Sequence, residues 1–485
     1  MGTPAAVAAA AEVAEFESDL ESFVRSTVDD RAEIFRRSKE RFQKLTGVAA
    51  SRGAGRHYAD RAIFYEDMHS GLRDVRIGGN VAEFLAGELG IVYQVALAVP
   101  RLRLAREREV LSDWARQRFR IGETVPLDRF YAAFFADREA IADRCAPVEA
   151  EVAALQRSLT DALVGDRLDA AEVVVEPDRV AEILADQPSG PPTLCNPDVM
   201  IAAADREALA AGRFTAVIGD LHAVRELLTH TCFAPIAQRY QPDLLPSIHA
   251  AYRSLLAPDE LLVDLIRDHP MKTEVQLQYP GWHLELVGRS PKPRSQVLQP
   301  ARLSVTVTAG GLELRAHGVE GRLRLLAPLA SGATIRHDPL AVFSFPRHFG
   351  DSILHVDHVE HLPRIRCGRV VLQRETWRVP ATEFRGRRLD GQPVANDTAA
   401  DYYAACQLRD RLGLPRRMFA KVPGERKPVY LDWDAPLLVR QVFRLAGDTG
   451  VVELSEMLPD PDQRWLEVDG QRFTSELRCA AFSVT

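Results

Sequence analysis

"RLSVTVTAGGLELRAHG", Arg302–Gly318, is the stretch on which the fold class turns. Apolar Leu303, Val305 and Val307 alternate with Ser304, Thr306 and Thr308, and beyond the turn Leu312 and Leu314 alternate with Glu313 and Arg315. A period of two sends one set to a buried face and the other toward water, and the intervening Gly310-Gly311 suits a tight turn. The pattern predicts a β-hairpin. "GRLRLLA" (Gly321–Ala327) and "RVVLQRETWRV" (Arg369–Val379) are expected to add strands to it.

Working outward, the texture changes. Up to about Leu45 the chain is rich in Ala, Glu and Arg, with Phe16, Leu20, Phe23 and Val24 at helical spacing, which predicts one or two amphipathic helices. A glycine-punctuated loop from Ser51 leads into a short strand-like run, Ala62–Tyr65, and Val81–Leu163 is again helical in pattern. The punctuation "DQPSGPPTLCNPD" (Asp186–Asp198) marks a boundary. After it, Phe214–Ile218 reads as a buried strand, and Gly219 is expected to turn the chain into a helix near Leu221. Two more helices are expected at Tyr402–Arg411 and Ala435–Leu445. The fold class is α+β, with a helix-rich N-terminal part and a strand-rich C-terminal part. Along the chain this gives a helix-rich region 1–190, an α/β region with hairpins 191–350, and a strand-rich region with closing helices 351–485.

The chain has 485 residues, 46% hydrophobic and 27% charged, an ordinary composition for a globular protein with room for roughly two to four domains. A formal net charge of -7 gives no global attraction to a polyanion, so any such partner must be held by local basic runs. Three exist: "RLRLARER" from Arg101, "GRSPKPR" ending at Arg294, and "RGRR" at Arg385–Arg388. Each is read first as solvated surface. Six scattered cysteines without a CxxC pair fit reduced thiols in a cytoplasm rather than a disulfide framework or a zinc ribbon. The N-terminus lacks a basic n-region, and the apolar run Gly90–Pro100 is too short to span a bilayer. No membrane partner is expected.

The common catalytic signatures are absent: no GxxxxGK[ST], no GxGxxG after a strand, no GxSxG and no HExxH. His355, His358 and His361, with Asp357 and Glu360 between them, look like a metal site. Their i, i+3, i+6 spacing drifts round a helix, however, and on a strand His358 points away from the other two. Val356 and Val359 favour a strand or loop, and no metal is expected. A second cluster, Tyr65, Glu66 and Asp67 just after Arg56, His57 and Arg61, sets acids beside cations. It suits a general base or an amino-acid site, or else a surface salt-bridge cluster.

At these residues the chain resembles a known family. "GRHYADRAIFYED" (Gly55–Asp67) is similar to a segment of the lantibiotic dehydratases in which a Tyr, a following Arg and a Tyr-Glu-Asp triplet recur, here Tyr58, Arg61, Tyr65, Glu66 and Asp67. "NPDVMIAAADREALAAGRFTAVIGDLH" (Asn196–His222) resembles the family's strand and Gly-Glu-Leu-His turn, with Asp220 in place of the glutamate. "HLPRIRCGRVVLQRETWRVPATEF" (His361–Phe384) resembles the segment where a Pro-Arg pair leads into an Arg-Glu-Thr-Trp-Arg strand. "LGLPRRMFAKVPGERKPVYLDWDAPLL" (Leu412–Leu438) and "LSEMLPDPDQRWL" with "GQRFTSELR" resemble the closing elements.

The resemblance implies the fold of the family's glutamylation domain, its later portion, and a function in ribosomal peptide natural-product biosynthesis. The implied reaction is glutamyl-tRNA-dependent esterification of Ser or Thr in a precursor peptide, the first step of dehydration. It implies no cofactor beyond aminoacyl-tRNA as co-substrate. Implied partners are glutamyl-tRNA, the precursor peptide, a separate protein supplying the earlier part of the transfer domain, and a separate elimination protein. Asp67 and Arg61 are the implied catalytic pair. Tyr58, Glu66, His222, Arg364 and Arg369 are the implied substrate or tRNA contacts, with strand-face salt bridges the other reading of the last two. A peptide aminoacyl-tRNA ligase component and a non-catalytic module docking a peptide or partner are the alternatives.

Overall fold

The computed structural model describes the chain apart from residues 1–2, 51–62, 65–75, 189–192, 222–233, 267–280, 287, 327–333, 347–353, 355, 357–358, 387–397, 426, 448–449 and 484–485. It divides into two compact units that interleave the sequence: Met1–Leu72 with Val379–Glu453, and Arg73–Arg378 with Leu454–Thr485.

The larger unit contains the expected hairpin. Strands Leu303–Thr308 and Gly311–Ala316 pair antiparallel with Thr308 opposite Gly311, and Thr124–Pro126 adds a third strand. Leu303, Val305 and Val307 are buried as the alternation requires. Gly311 closes the turn at φ +138, a backbone region that strains a residue with a side chain. This sheet shares a core with a second one in which Arg322–Leu325, Glu260–Ile266, Trp282–Glu285 and Val297–Leu298 run parallel. The long helix Gly90–Arg118 contributes Trp114, which meets Phe119, Phe130 and Phe134 edge-on with ring centroids 6.0, 5.4 and 5.9 Å away. By length and composition the stretch Gly79–Arg118 could cross a bilayer, but 50% of its most apolar window is buried within the fold. Its Ala98 and Leu102 pack on Val148, Val152, Leu155 and Leu159 of helix Arg138–Leu163.

The basic run Arg101–Arg108 lies on this helix, and it is not the solvated surface expected of it. Arg103 grips Glu149 at 2.6 and 2.9 Å, Arg106 grips Glu151, and Arg108 donates to the Val342 carbonyl at 2.8 Å. The reason is periodicity: Leu102 and Leu104 are buried, so the arginines beside them lie along the seam with the next helix.

A six-stranded mixed sheet completes the unit, in the order Glu172–Val175, Arg364–Cys367, Val370–Gln373, Thr215–Leu221, Pro197–Ala202, Leu477–Arg478. The strand from Thr215 runs through Gly219 to Leu221, with Pro197 opposite Leu221, where a helix was expected to begin. Pairing on both sides keeps it extended, and Gly219 allows the close approach of its neighbour, since a Cβ there would lie 3.3 Å from the Asp198 Cβ.

In the smaller unit, helices Pro4–Arg25 and Val28–Thr46 form an antiparallel pair of the amphipathic kind expected. Buried Asp19 joins them, accepting from Ser38 Oγ at 3.0 Å and from Arg41 at 3.1 Å. The later part of the unit holds helices Thr398–Leu412 and Pro436–Ala446 and the hairpin Arg417–Lys421/Val429–Asp432. Trp433 is buried there, stacked on Phe384 with centroids 6.1 Å apart.

Candidate functional site

Of the residues singled out from the sequence, Tyr58, Arg61, Glu66, Asp67 and His222 lie outside the described residues, as do His355 and His358. Ile63 and Phe64 are the described part of the Tyr-Glu-Asp block, in a bend rather than a strand. The Phe64 ring fixes that point of the block on the N-terminal helix pair, 5.7 Å from Phe23 and 6.2 Å from Phe35.

The segment from His361 is described, and its charges are used within the sheet. Arg364 clamps buried Glu456 with two guanidinium nitrogens, the Nε–Oε1 distance being 2.8 Å, and also approaches Glu172 at 3.6 Å. The same Glu456 Oε1 accepts the backbone N–H of Glu375 at 2.9 Å. Arg366 holds Glu172 through two bonds of 3.2 Å, keeping that carboxyl below its usual range. The Glu456 hydrogen bonds in turn raise the proton affinity of Arg364, a guanidinium charged at any working pH. His361 Nε2 meets Glu375 Oε1 at 2.9 Å, with the Trp377 ring 5.4 Å away. Arg369 pairs with Glu88, donates to the Gly212 carbonyl at 3.2 Å and lies 4.4 Å over the Phe214 ring. No group of three His, Cys, Asp or Glu able to hold a metal occurs among the described residues.

Sequence reasoning missed what stands beside the Gly219–Leu221 end of the strand. Asp198 is buried opposite Gly219, and Glu476 hydrogen-bonds to it. Partial burial, then the Asp198 carboxylate, pushes the Glu476 carboxyl above its ordinary range. Arg374 sits in the field of Asp220 and Glu476 and donates to the Leu458 carbonyl at 3.0 Å. A second carboxylate this close makes the Glu476 carboxyl hold its proton more tightly. Only spatial pairing of Pro197–Ala202 with Leu477–Arg478 creates the pair, and no local motif signals that. Thiol chemistry has no support here: burial pushes Cys195 up to about 12 and Cys479 up to about 11.

Two pockets accompany these networks. In the larger unit a cavity of about 420 Å³ is lined by Arg108, Arg116, Arg322 and Arg324 and by Glu109, Asp113, Glu260 and Glu313, a balanced set of charges. In the smaller unit one of about 410 Å³ lies between helices Thr398–Leu412 and Pro436–Ala446.

An α+β chain with this sheet and this Arg-Glu-Thr-Trp segment defines a class, and comparison identifies it. The family described as "Lantibiotic dehydratase, N terminus" matches residues 2–441, and the chain belongs to that family. Among solved structures it is similar to the glutamylation domain of TbtB from thiomuracin biosynthesis, at 20% identity and a TM-score of 0.55, covering 82% of this chain and 50% of that one. The same domain bound to 5'-phosphodesmethylglutamycin gives 19% identity and a TM-score of 0.57, over 83% and 50% of the two chains. The tRNA-dependent lantibiotic dehydratase MibB from Microbispora sp. 107891 matches at 19% identity and a TM-score of 0.47, over 63% and 30%. The TbtB likeness establishes the fold expected from the sequence, and this chain spans about half the length of that relative. No curated protein matches it.

Proposed function

We propose that the protein takes part in glutamyl-tRNA-dependent esterification of Ser or Thr side chains in a precursor peptide. The observation that carries this reading is the family match across residues 2–441. In the reaction the peptide hydroxyl oxygen attacks the ester carbonyl of glutamyl-tRNA. The bond to the terminal ribose oxygen breaks, the glutamyl group passes to the peptide, and the hydroxyl proton ends on the ribose oxygen. The ester is already activated, so positioning and charge placement supply most of the rate.

Asp67 orients or deprotonates the acceptor, and Arg61 balances it and meets a carboxylate or phosphate by paired hydrogen bonds. Further polypeptides of the pathway act with it at the transfer and elimination steps. The co-substrate places the work in the cytoplasm.

The test combines the protein with glutamyl-tRNA, the precursor peptide and its candidate partner chains, and follows the peptide mass. A gain of one glutamyl residue that disappears in Asp67→Asn at unchanged melting temperature is expected. No gain with every partner present overturns the reading. Transfer of another amino acid to the peptide C-terminus assigns the chain to the ligase relatives instead.

A further inference from the structure

Two of the arginines lining the pocket of the smaller unit are held by no carboxylate among the described residues. Arg440 and Arg444 stand one helical turn apart on helix Pro436–Ala446, both exposed and both lining the cavity. Neither has an ion-pair or hydrogen-bond partner among the described residues. The opposite side of the helix explains why they are held in place: Val439, Val442, Phe443 and Ala446 are buried and fix its rotation.

A third cation, Arg385, completes the group. Its guanidinium lies 3.8 Å over the Phe443 ring and 3.6 Å from Asp401. Asp401 is occupied, because it also accepts the backbone N–H of Gly386 at 2.9 Å. That glycine is required: a Cβ there would come within 2.6 Å of the Ala400 Cβ, so a larger residue would push Arg385 away from the helix. Among the described residues three arginines and one aspartate line the pocket, an excess of two positive charges.

We infer that this pocket is a phosphate-binding site that grips the backbone of an RNA. The inference rests on the tRNA-dependent reading for the source of the phosphate. The geometry itself asks for an anion with two or more closely spaced charges. Planar guanidinium groups at i, i+4 spacing suit successive or bidentate phosphate oxygens. The buried aromatic rings serve as a floor under Arg385 rather than as stacking platforms for bases, so binding is independent of sequence.

The test uses the full chain and a fluorescently labelled uncharged tRNA, with anisotropy titrations at two salt concentrations. Arg440→Ala/Arg444→Ala is compared with the wild type and with Arg179→Ala, an exposed arginine on another helix. The double variant is expected to bind about tenfold more weakly, with a log–log salt slope shallower by about two. Melting temperature stays unchanged, and Arg179→Ala stays within about twofold of wild type. Equal affinity and slope in the double variant overturn the site while leaving a tRNA-dependent function standing. If the double variant loses affinity for a polyglutamate peptide but not for tRNA, the ligand is an acidic peptide and the RNA assignment is wrong. Failure of the wild type to bind tRNA overturns both this inference and the function it rests on. Glutamyl transfer failing while tRNA binding still depends on the pocket sinks the function alone.

Discussion

Two regions of this protein are dense in arginine and use it in opposite ways. In the six-stranded sheet, Arg364 and Arg366 are each saturated by carboxylates, and Arg369 by Glu88 together with an aromatic face. In the pocket of the smaller unit, the one acid among the described lining residues, Asp401, is already held by Arg385 and a backbone N–H, and Arg440 and Arg444 stand open. Counting cations along the sequence does not separate the two. What separates them is whether a carboxylate of the same fold has taken the hydrogen bonds: a saturated guanidinium stabilises its sheet, and an open one is available to a ligand.

The largest expected effect tests whether the pocket stands on a true core. Trp433 is buried against Phe384, and its backbone carbonyl accepts the Tyr402 hydroxyl at 2.8 Å. Trp433→Ala is expected to cost about 3–5 kcal/mol in urea unfolding; a cost below about 1 kcal/mol would show that the pocket wall is not supported in this way. On the saturated side, Glu456→Ala removes the carboxylate under Arg364 and the acceptor of the Glu375 N–H. Glu456 is buried but Arg364 is about one-third exposed, so about 2–4 kcal/mol is expected rather than the full cost of orphaning a buried charge. A neutral outcome would break the contrast between the regions.

A smaller effect concerns Glu476, whose carboxyl is raised by partial burial and by Asp198. A raised carboxyl binds its proton more tightly in the folded state. Stability is therefore favoured at low pH and declines as pH rises from the ordinary carboxyl range through the raised value. Glu476→Gln is expected to flatten that decline; an unchanged slope would separate Glu476 from the pair. The smallest effect belongs to the open arginines: Arg440→Ala and Arg444→Ala are each expected to change stability by less than about 0.5 kcal/mol.

Much of the fold was legible. The alternation in Arg302–Gly318 gave the hairpin, and the spacing of Phe16, Leu20 and Phe23 gave the first helix, because both follow from periods of local geometry. What was hidden depends on distant pairing. Glu172–Val175 lies parallel to Arg364–Cys367, nearly two hundred residues later, and Arg364 meets Glu456 ninety-two positions on. No periodicity encodes either. The open pair left a faint trace, two arginines at i, i+4 opposite an apolar stripe, but that pattern marks any solvated helix face until the neighbouring carboxylates are located. Gly219 does not end its strand, because a glycine in a strand looks like a stop unless its strand neighbours are known; the helix expected beyond Leu221 lies outside the described residues.

Arg364→Ala and Arg440→Ala/Arg444→Ala, measured side by side for melting temperature and tRNA affinity, test the contrast most directly. A reciprocal result is expected: Arg364→Ala melts lower and its folded fraction binds tRNA as the wild type does, while the double variant melts normally and binds weakly. A lowered affinity in Arg364→Ala at unchanged melting temperature, with the double variant binding normally, would contradict it.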